Sequence, residues 1–318
     1  MHTLHHQSQQ LFDGVYAQLA NHEVAIGMKN LFFGLHRLKR SARADEWRNF
    51  AQSSWQNHPV KTLVHQDPLT RRAFEKPRGY AGDAELIDFI YGLRDLPRTS
   101  SVGAAIYGQM FEAPAAKAVR ARRDILAARL DAVAAEVKQP RVLAIACGHL
   151  REAQKSRAVA EGRFGEFVGL DQDRDSLALI EQEQSAQGIK AIHGSVKSIL
   201  KGETVFEDFD FVYSTGLYDY LPQPVAISLT TKLFGMLKPG GRLLVANFLP
   251  DVPDVGYMET FMGWPLIYRT DEEMAAVASG IEVDQISAQR TFRDPHQNVV
   301  FLEVERYGTG SSSDRVDS

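Results

Sequence analysis

Apolar positions recur at helical spacing along the first 138 residues, and runs of β-branched residues are scarce there. Leu11, Val15 and Leu19 mark one stripe, and Met28, Leu31, Phe32, Leu35 and Leu38 mark a second. Trp47, Phe50, Ser54 and Trp55 predict a third helix, closed by the turn-prone Asn57-His58-Pro59. Asp67-Pro68 opens a short helix that runs to Glu75. Residues 76–83 read as a loop, because Pro77, Gly79 and Gly82 punctuate them, and residues 84–93 return to helix. A long helix rich in Ala, Arg and Leu is predicted from Pro114 to Lys138.

Beyond Pro140 the period changes. Short apolar runs at 141–146, 167–170, 190–193, 209–214 and 242–247 read as strands. Helical segments at 152–161, 176–187 and 225–236 lie between them, and 237–241 reads as a tight turn before the fifth strand. Strands alternating with helices of this length predict parallel pairing with right-handed crossovers. Residues 281–289 and 299–306, separated by a polar, Pro-containing turn, predict an antiparallel hairpin at the sheet edge. The expected fold is therefore α/β: a Rossmann-like doubly wound sheet, mostly parallel with an antiparallel C-terminal hairpin, preceded by an all-helical N-terminal domain. The corresponding division is 1–138 helical, 139–307 Rossmann-like, and a Gly/Ser/Asp-rich tail at 308–318 expected to be disordered.

Composition narrows the partners. With 36 Lys and Arg against 40 Asp and Glu, the net charge of −4 gives no reason to expect nucleic acid or an anionic membrane. The single cysteine, Cys147, excludes an intrachain disulfide framework and points to a reducing, cytoplasmic setting. The His- and Gln-rich start lacks the apolar core of a signal peptide, and no run is long enough to span a bilayer. A small-molecule substrate is expected, and a homodimer is left open.

The first predicted strand runs into Ala146-Cys147-Gly148, a strand–glycine–helix junction that would let a ligand approach the backbone. The full glycine triple of dinucleotide enzymes is missing, since His149 and Leu150 follow directly. Asp171, 23 residues after Gly148, closes the second strand, where a carboxylate can accept ribose hydroxyls. Gln172 follows it, whereas Asp173 suits a helix N-cap. Together these features predict a nucleoside ligand, either a dinucleotide or an adenosyl sulfonium. No metal-ligand spacing, nucleophile elbow or Walker loop occurs, so no metal is expected.

The turn Lys238-Pro239-Gly240-Gly241-Arg242 and the terminal hairpin give residues 140–306 the order of features that resembles class I S-adenosylmethionine-dependent methyltransferases. That resemblance implies S-adenosyl-L-methionine as cofactor, with Ser195 and Val196 beside the adenine and Ser214, Thr215 and Gly216 facing the methyl group. The segment Lys76-Pro77-Arg78-Gly79-Tyr80-Ala81-Gly82-Asp83 and the stretch Gly263-Trp264-Pro265-Leu266-Ile267-Tyr268-Arg269-Thr270 are similar to bacterial methyltransferases of hydroxy-fatty-acid methyl ester ("extracellular factor") biosynthesis. The loop is expected to act as a lid in which Arg78 or Tyr80 reaches the aminoacyl carboxylate, with Tyr107 contributing to the same roof. The competing reading is a helix connector with Tyr80 in the core.

For the methyl acceptor, Tyr80, Asp83, Asp219, Glu259, Tyr268 and Arg269 are the candidates for orientation or base catalysis. A carboxylate acceptor needs no base, and Arg269 would orient it. A hydroxyl or ammonium needs one, and Asp83, Asp219, Glu259 or His149 could supply it. The leading expectation is methylation of a small carboxylate or hydroxy acid. N- or S-methylation of an amino-acid-like metabolite is the alternative, and an NAD-dependent oxidoreductase the second.

Overall fold

The computed structural model describes residues 2–308, so the tail expectation lies, Gly308 apart, outside the described residues. The helices α1 (His2–Ala20), α2 (Val24–Ser41), α3 (Ala44–Asn49), α4 (Val60–Val64), α5 (Pro68–Glu75), α6 (Ala84–Ile90), α7 (Ser101–Phe111) and α8 (Pro114–Glu136) come first. Then follow β1 (Arg141–Ile145), α9 (Arg157–Ala160), β2 (Glu166–Asp171), α10 (Arg174–Gln184), β3 (Ile189–His193), α11 (Val196–Leu200) and β4 (Phe209–Ser214). The chain closes with α12 (Gln223–Gly235), β5 (Leu237–Phe248), α13 (Val255–Thr260), α14 (Asp271–Ala275), β6 (Ile286–Arg293) and β7 (Val299–Arg306).

Two compact units result: Met1–Arg120 with Asp251–Leu266, and Ala121–Pro250 with Ile267–Ser318. This differs from a division at 138, because the boundary falls inside α8 and because 251–266 belongs with the helical residues. The reason is burial. Tyr257 and Phe261 of this segment are completely buried in the helical unit. Phe261 packs against Phe12 and Trp55, with ring centroids 5.6 and 4.7 Å apart, and Tyr257 meets Phe32 at 5.2 Å. Elsewhere in this unit α1 buries Phe12, Val15 and Leu19, while α2 buries Met28, Leu31, Phe32, Leu35 and Leu38, the predicted stripe. Asp67 caps α5 by accepting the N–H groups of Leu69 and Thr70, with Pro68 in the first turn.

The second unit holds a seven-stranded sheet in the order β3-β2-β1-β4-β5-β7-β6. β1 to β5 pair in parallel, whereas β7 runs antiparallel to both β5 and β6. Strands with both faces covered must be apolar throughout, which is why Val142–Ile145, Phe211–Tyr213 and Leu243–Val245 are nearly continuous hydrophobic runs. Leu143, Ile145, Val212, Leu243, Val245, Val300 and Leu302 form the core with Leu229 and Leu233 of α12.

Three local expectations shift. The predicted helix over 152–161 breaks after a single turn at 153–155, because Ser156 caps α9 by accepting the Val159 N–H and donates to Asp131. The turn expected at 237–241 is instead the irregular start of β5: Leu237 pairs with Phe209, and the register slips before Phe211–Arg242. Gly240 takes φ +78 there, and a Cβ on Gly241 would stand 2.8 Å from the Phe209 carbonyl oxygen. The first hairpin strand begins at Ile286 rather than 281, since Val277, Ala278 and Ile281 are drawn into the core beside α12.

Candidate functional site

Ligands of open parallel sheets collect where neighbouring strands leave in opposite directions, at their carboxyl ends. Here that place is the β1/β4 junction: β2 and β3 extend the sheet to one side of β1, β4 and β5 to the other.

Beyond β1 the backbone does something the residue types do not advertise. Ala146, Gly148 and Leu150 all have positive φ, at +52, +54 and +51, so every second residue of the turn is left-handed though only one is glycine. Each non-glycine residue in that region costs roughly 1–2 kcal/mol. Strain of this kind persists where the surroundings over-determine it, commonly at ligand sites. Asp171 is one such constraint. Its Oδ2 accepts the Gly148 N–H at 2.8 Å, its Oδ1 accepts the Asp173 N–H at 2.9 Å, and burial raises its pKa. Cys147 points away from the turn, toward β2: its thiol lies where a Cβ on Gly169 would come within 3.0 Å, and burial pushes its pKa well up.

After β4, Ser214 donates to the Ile145 carbonyl at 2.9 Å and so stitches β4 to β1. The Thr215 carbonyl accepts Nη1 of Arg122, from α8, at 2.5 Å, and Gly216 is exposed next to it. Glu152, just past the turn, is buried and receives the Tyr213 hydroxyl at 2.8 Å. Burial raises the Glu152 pKa, opposed by the charges of Arg122 and Arg123. Asp219 is buried as well; its Oδ1 accepts the Phe248 N–H at 2.7 Å. Burial pushes the Asp219 pKa up to about 6 against the pull of that bond and of Arg122 and Arg269. Three buried carboxylates thus lie past β1 (Glu152), at the end of β2 (Asp171) and past β4 (Asp219).

Arg269 is placed otherwise than a substrate clamp would be. It is 1 % exposed and donates to the Tyr218 and Leu221 carbonyls, to Asn247 Oδ1 and to Gln223 Oε1. Four of its N–H groups therefore staple the turn after β4 to the end of β5, and its contribution is to hold Asp219 in place. Tyr268 is half-buried beside it. Gln172 is exposed at the end of β2. Ser195 uses its hydroxyl to cap α11, accepting the Ser198 N–H, and Val196 opens that helix.

The remaining candidates belong to the helical unit. Asp83 caps α6 through the Leu86 N–H and is held by Arg72 at 3.0 and 2.9 Å. Arg78 lies 3.8 Å from Glu85, and Tyr80 is half-buried on the same loop. The Tyr107 hydroxyl donates to the Phe89 carbonyl at 2.9 Å. Glu259 accepts Lys39 Nζ at 2.6 Å and the Trp47 indole N–H at 2.5 Å, tying α13 to α2 and α3. These bonds give Asp83 and Glu259 a structural account within their own unit. Arg122 and Glu152 are the residues the sequence reading missed.

No protein-family model matches the chain, and no characterised protein matches it in sequence. Solved structures do share its fold. A possible exported protein from Bordetella parapertussis superposes with a TM-score of 0.61 at 18% identity, over 92% of this chain and 97% of that one. A putative O-methyltransferase from Nostoc punctiforme reaches 0.46 at 16% identity, over 77% and 71% of the two chains. The N-methyltransferase NodS from Bradyrhizobium japonicum, solved with S-adenosyl-L-homocysteine, reaches 0.42 at 14%, over 59% and 87%. Likeness at these identities concerns the path of the chain and not its chemistry.

Proposed function

We propose that this chain is an S-adenosylmethionine-dependent methyltransferase of a small molecule, with a carboxylate or hydroxy acid as the acceptor class. One observation carries the cofactor reading: a turn with three alternate left-handed residues, buttressed by Asp171 and flanked by two more buried carboxylates. Close backbone approach suits a nucleoside, and a basin of buried acids suits a ligand bearing fixed positive charge. A dinucleotide, with its anionic pyrophosphate, fits that basin poorly. The terminal antiparallel β7–β6 pair and the sequence resemblance support the same choice.

When bound, such a cofactor supplies a methyl group on a sulfonium, which is already an electrophile. The chain's task is then to bind, orient and exclude water. Ala146, Cys147 and Gly148 would present backbone to the nucleoside, Asp171 would meet the ribose, and Ser214 to Gly216 would face the reacting end. The roles of Arg78, Tyr80 and Tyr107 as ligand contacts stay a proposal that rests on the sequence of residues 76–83 and 105–107. The acceptor class rests on the resemblance of residues 76–83 and 263–270.

A second reading is kept for one reason. Asp219, with a pKa near 6, is matched to accept a proton at neutral pH, which a carboxylate acceptor does not require. An amine or hydroxyl on an amino-acid-like metabolite would use it. A small-molecule partner and a cytoplasmic setting follow from the acidic balance and the lone cysteine. Among the described residues no helix is long and apolar enough to cross a membrane.

Calorimetry with S-adenosylhomocysteine and with NAD tests the cofactor. Micromolar binding of the first and none of the second is expected; the reverse overturns the proposal. Labelled methyl transfer to hydroxy acids and to amino acids then separates the two acceptor readings.

A further inference from the structure

In the helical unit the rings of Trp55 and Phe74 meet at 5.7 Å, and two polar side chains one helical turn apart lie over both. Lys61 of α4 holds its ammonium 5.0 Å from the Phe74 centroid and 5.4 Å from that of Trp55. His65, four residues on, sets its ring 4.8 and 5.9 Å from the same two centroids. Trp55 is buried, whereas Lys61, His65 and Phe74 are half-buried, so solvent reaches the cluster.

His65 Nε2 faces the Phe261 carbonyl at 2.9 Å and must donate to it, which makes Nδ1 the acceptor of the neutral ring. Burial favours that neutral form, lowering the His65 pKa against the pull of the carbonyl. Among the described residues Nδ1 receives no hydrogen bond and Lys61 Nζ meets no carboxylate. Lys76 brings a second ammonium to the Phe74 edge. Its Nζ lies 3.8 Å, and Phe74 Cδ2 3.4 Å, from the place a Cβ on Gly263 would take. Around His65 the positive charges of Lys61 and Arg71 outnumber the negative charge of Glu75.

A fixed acceptor, a cation one turn away and an apolar ring beside both are complementary to a donor, an anion and a short carbon stem joining them. We propose that Lys61 and His65 form a binding site in the helical unit for a hydroxy carboxylate. Lys61 takes the carboxylate, His65 Nδ1 accepts the hydroxyl, and Phe74 packs on the stem. An amino acid suits the site less, because its ammonium would enter a surplus of positive charge. The site thus favours the hydroxy acid over the amino-acid-like acceptor. It rests on the methyltransferase reading only for the ligand's role as acceptor; the binding itself needs no cofactor.

Ligand-observed NMR titration of the full chain, without cofactor, compares 3-hydroxybutyrate, butyrate and 3-aminobutyrate. Wild type should bind 3-hydroxybutyrate about 5-fold more tightly than butyrate, the size of one neutral hydrogen bond, and 3-aminobutyrate more weakly than either. His65→Gln keeps a donor for the Phe261 carbonyl but has no acceptor at the position of Nδ1. It should bring 3-hydroxybutyrate to the affinity of butyrate and leave butyrate unchanged. Lys61→Met keeps the stem over the two rings and drops the charge. It should weaken both anions at least 10-fold, and Lys61→Arg should recover part of that loss.

The inference falls if wild type binds none of the three, or binds the hydroxylated and plain acids equally. It falls if 3-aminobutyrate binds as tightly as 3-hydroxybutyrate, or if His65→Gln preserves the preference for the hydroxyl. A His65→Gln variant that weakens every ligand alike would mark His65 as a brace for Phe261 and overturn it too. If the hydroxy acid binds as expected yet S-adenosylmethionine yields no methylated product, the site stands and the acceptor reading fails.

Discussion

Asp171 Oδ2 accepts the Gly148 N–H at 2.8 Å across the tips of two adjacent strands, and its Oδ1 holds the Asp173 N–H at 2.9 Å. One carboxylate therefore fixes both the turn after β1 and the entry to α10. In Asp171→Asn one of the two N–H groups would face an amide NH₂ instead of an oxygen. A loss of at least 10-fold in S-adenosylhomocysteine affinity is expected, together with about 1–2 kcal/mol of stability. Calorimetry and urea unfolding check the two parts separately; unchanged affinity would remove Asp171 from the site.

The left-handed residues on either side of Gly148 make opposite predictions on substitution. Ala146→Gly removes the Cβ penalty at φ +52 and should stabilise the fold by about 1 kcal/mol. Leu150 has the same backbone strain, but its side chain is 1 % exposed, and emptying that space costs about 2–5 kcal/mol. Leu150→Gly should therefore destabilise. A urea midpoint that falls for Ala146→Gly would show that the turn is not strained.

Arg269→Met leaves the Tyr218 and Leu221 carbonyls and Asn247 Oδ1 without their shared donor in a buried place. A loss of about 3 kcal/mol is expected. The variant should also free Asp219 from its fixed turn. Any activity that survives should lose the pH dependence that Asp219 confers, read from kcat profiles.

If Asp219 acts as the base, activity toward an amine or hydroxyl acceptor should rise as pH passes about 6, where its carboxyl ionises. Asp219→Asn should abolish that limb. Carboxylate methylation, by contrast, should show no such limb. A profile for an amine acceptor that is flat from pH 5 to 8 would exclude Asp219 from proton transfer.

Stability carries its own pH signature. Burial pushes Asp67 and Asp254 in the helical unit up to about 6, as it does Asp219. An unfolded Asp titrates near 3.9, so between about pH 4 and 6 the folded chain holds protons that the unfolded chain has released. Their contribution is complete below about pH 4 and is lost as pH rises through 6. Asp67→Asn, which keeps a good helix cap but sheds the buried charge, should raise stability at pH 7.5 by about 1 kcal/mol. Denaturant curves at pH 5 and 7.5 should show that gain shrinking at the lower pH.

The sheet was readable in the sequence because its strands are buried on both faces, and such strands announce themselves as short apolar runs whatever surrounds them. The α5 cap at Asp67-Pro68 was equally local and equally legible. Glu259 was not. Its partners Lys39 and Trp47 lie 220 and 212 residues away, and no periodicity relates a single acid to so distant a cation. Arg122 was hidden differently. It is one of several arginines on an Ala-rich helix, and nothing in their spacing tells Arg122, buried on the Thr215 carbonyl, from its half-buried neighbours Arg120, Arg123 and Arg129. Leu150 gave no sign of its left-handed backbone, since the residue type argues against the conformation the turn imposes.

The membership of residues 251–266 in the helical unit bears on how the protein is made. Although this unit opens the chain, Tyr257 and Phe261 complete its aromatic centre, so a ribosome must synthesise all of β1 to β5 before that centre can close. The first 138 residues should emerge with the surfaces of Phe12, Phe32 and Trp55 uncovered, a state prone to chaperone capture and self-association. A fragment ending at 138 is thus an unfinished molecule, whereas one that rejoins 251–266 through a short linker restores the missing ring contacts.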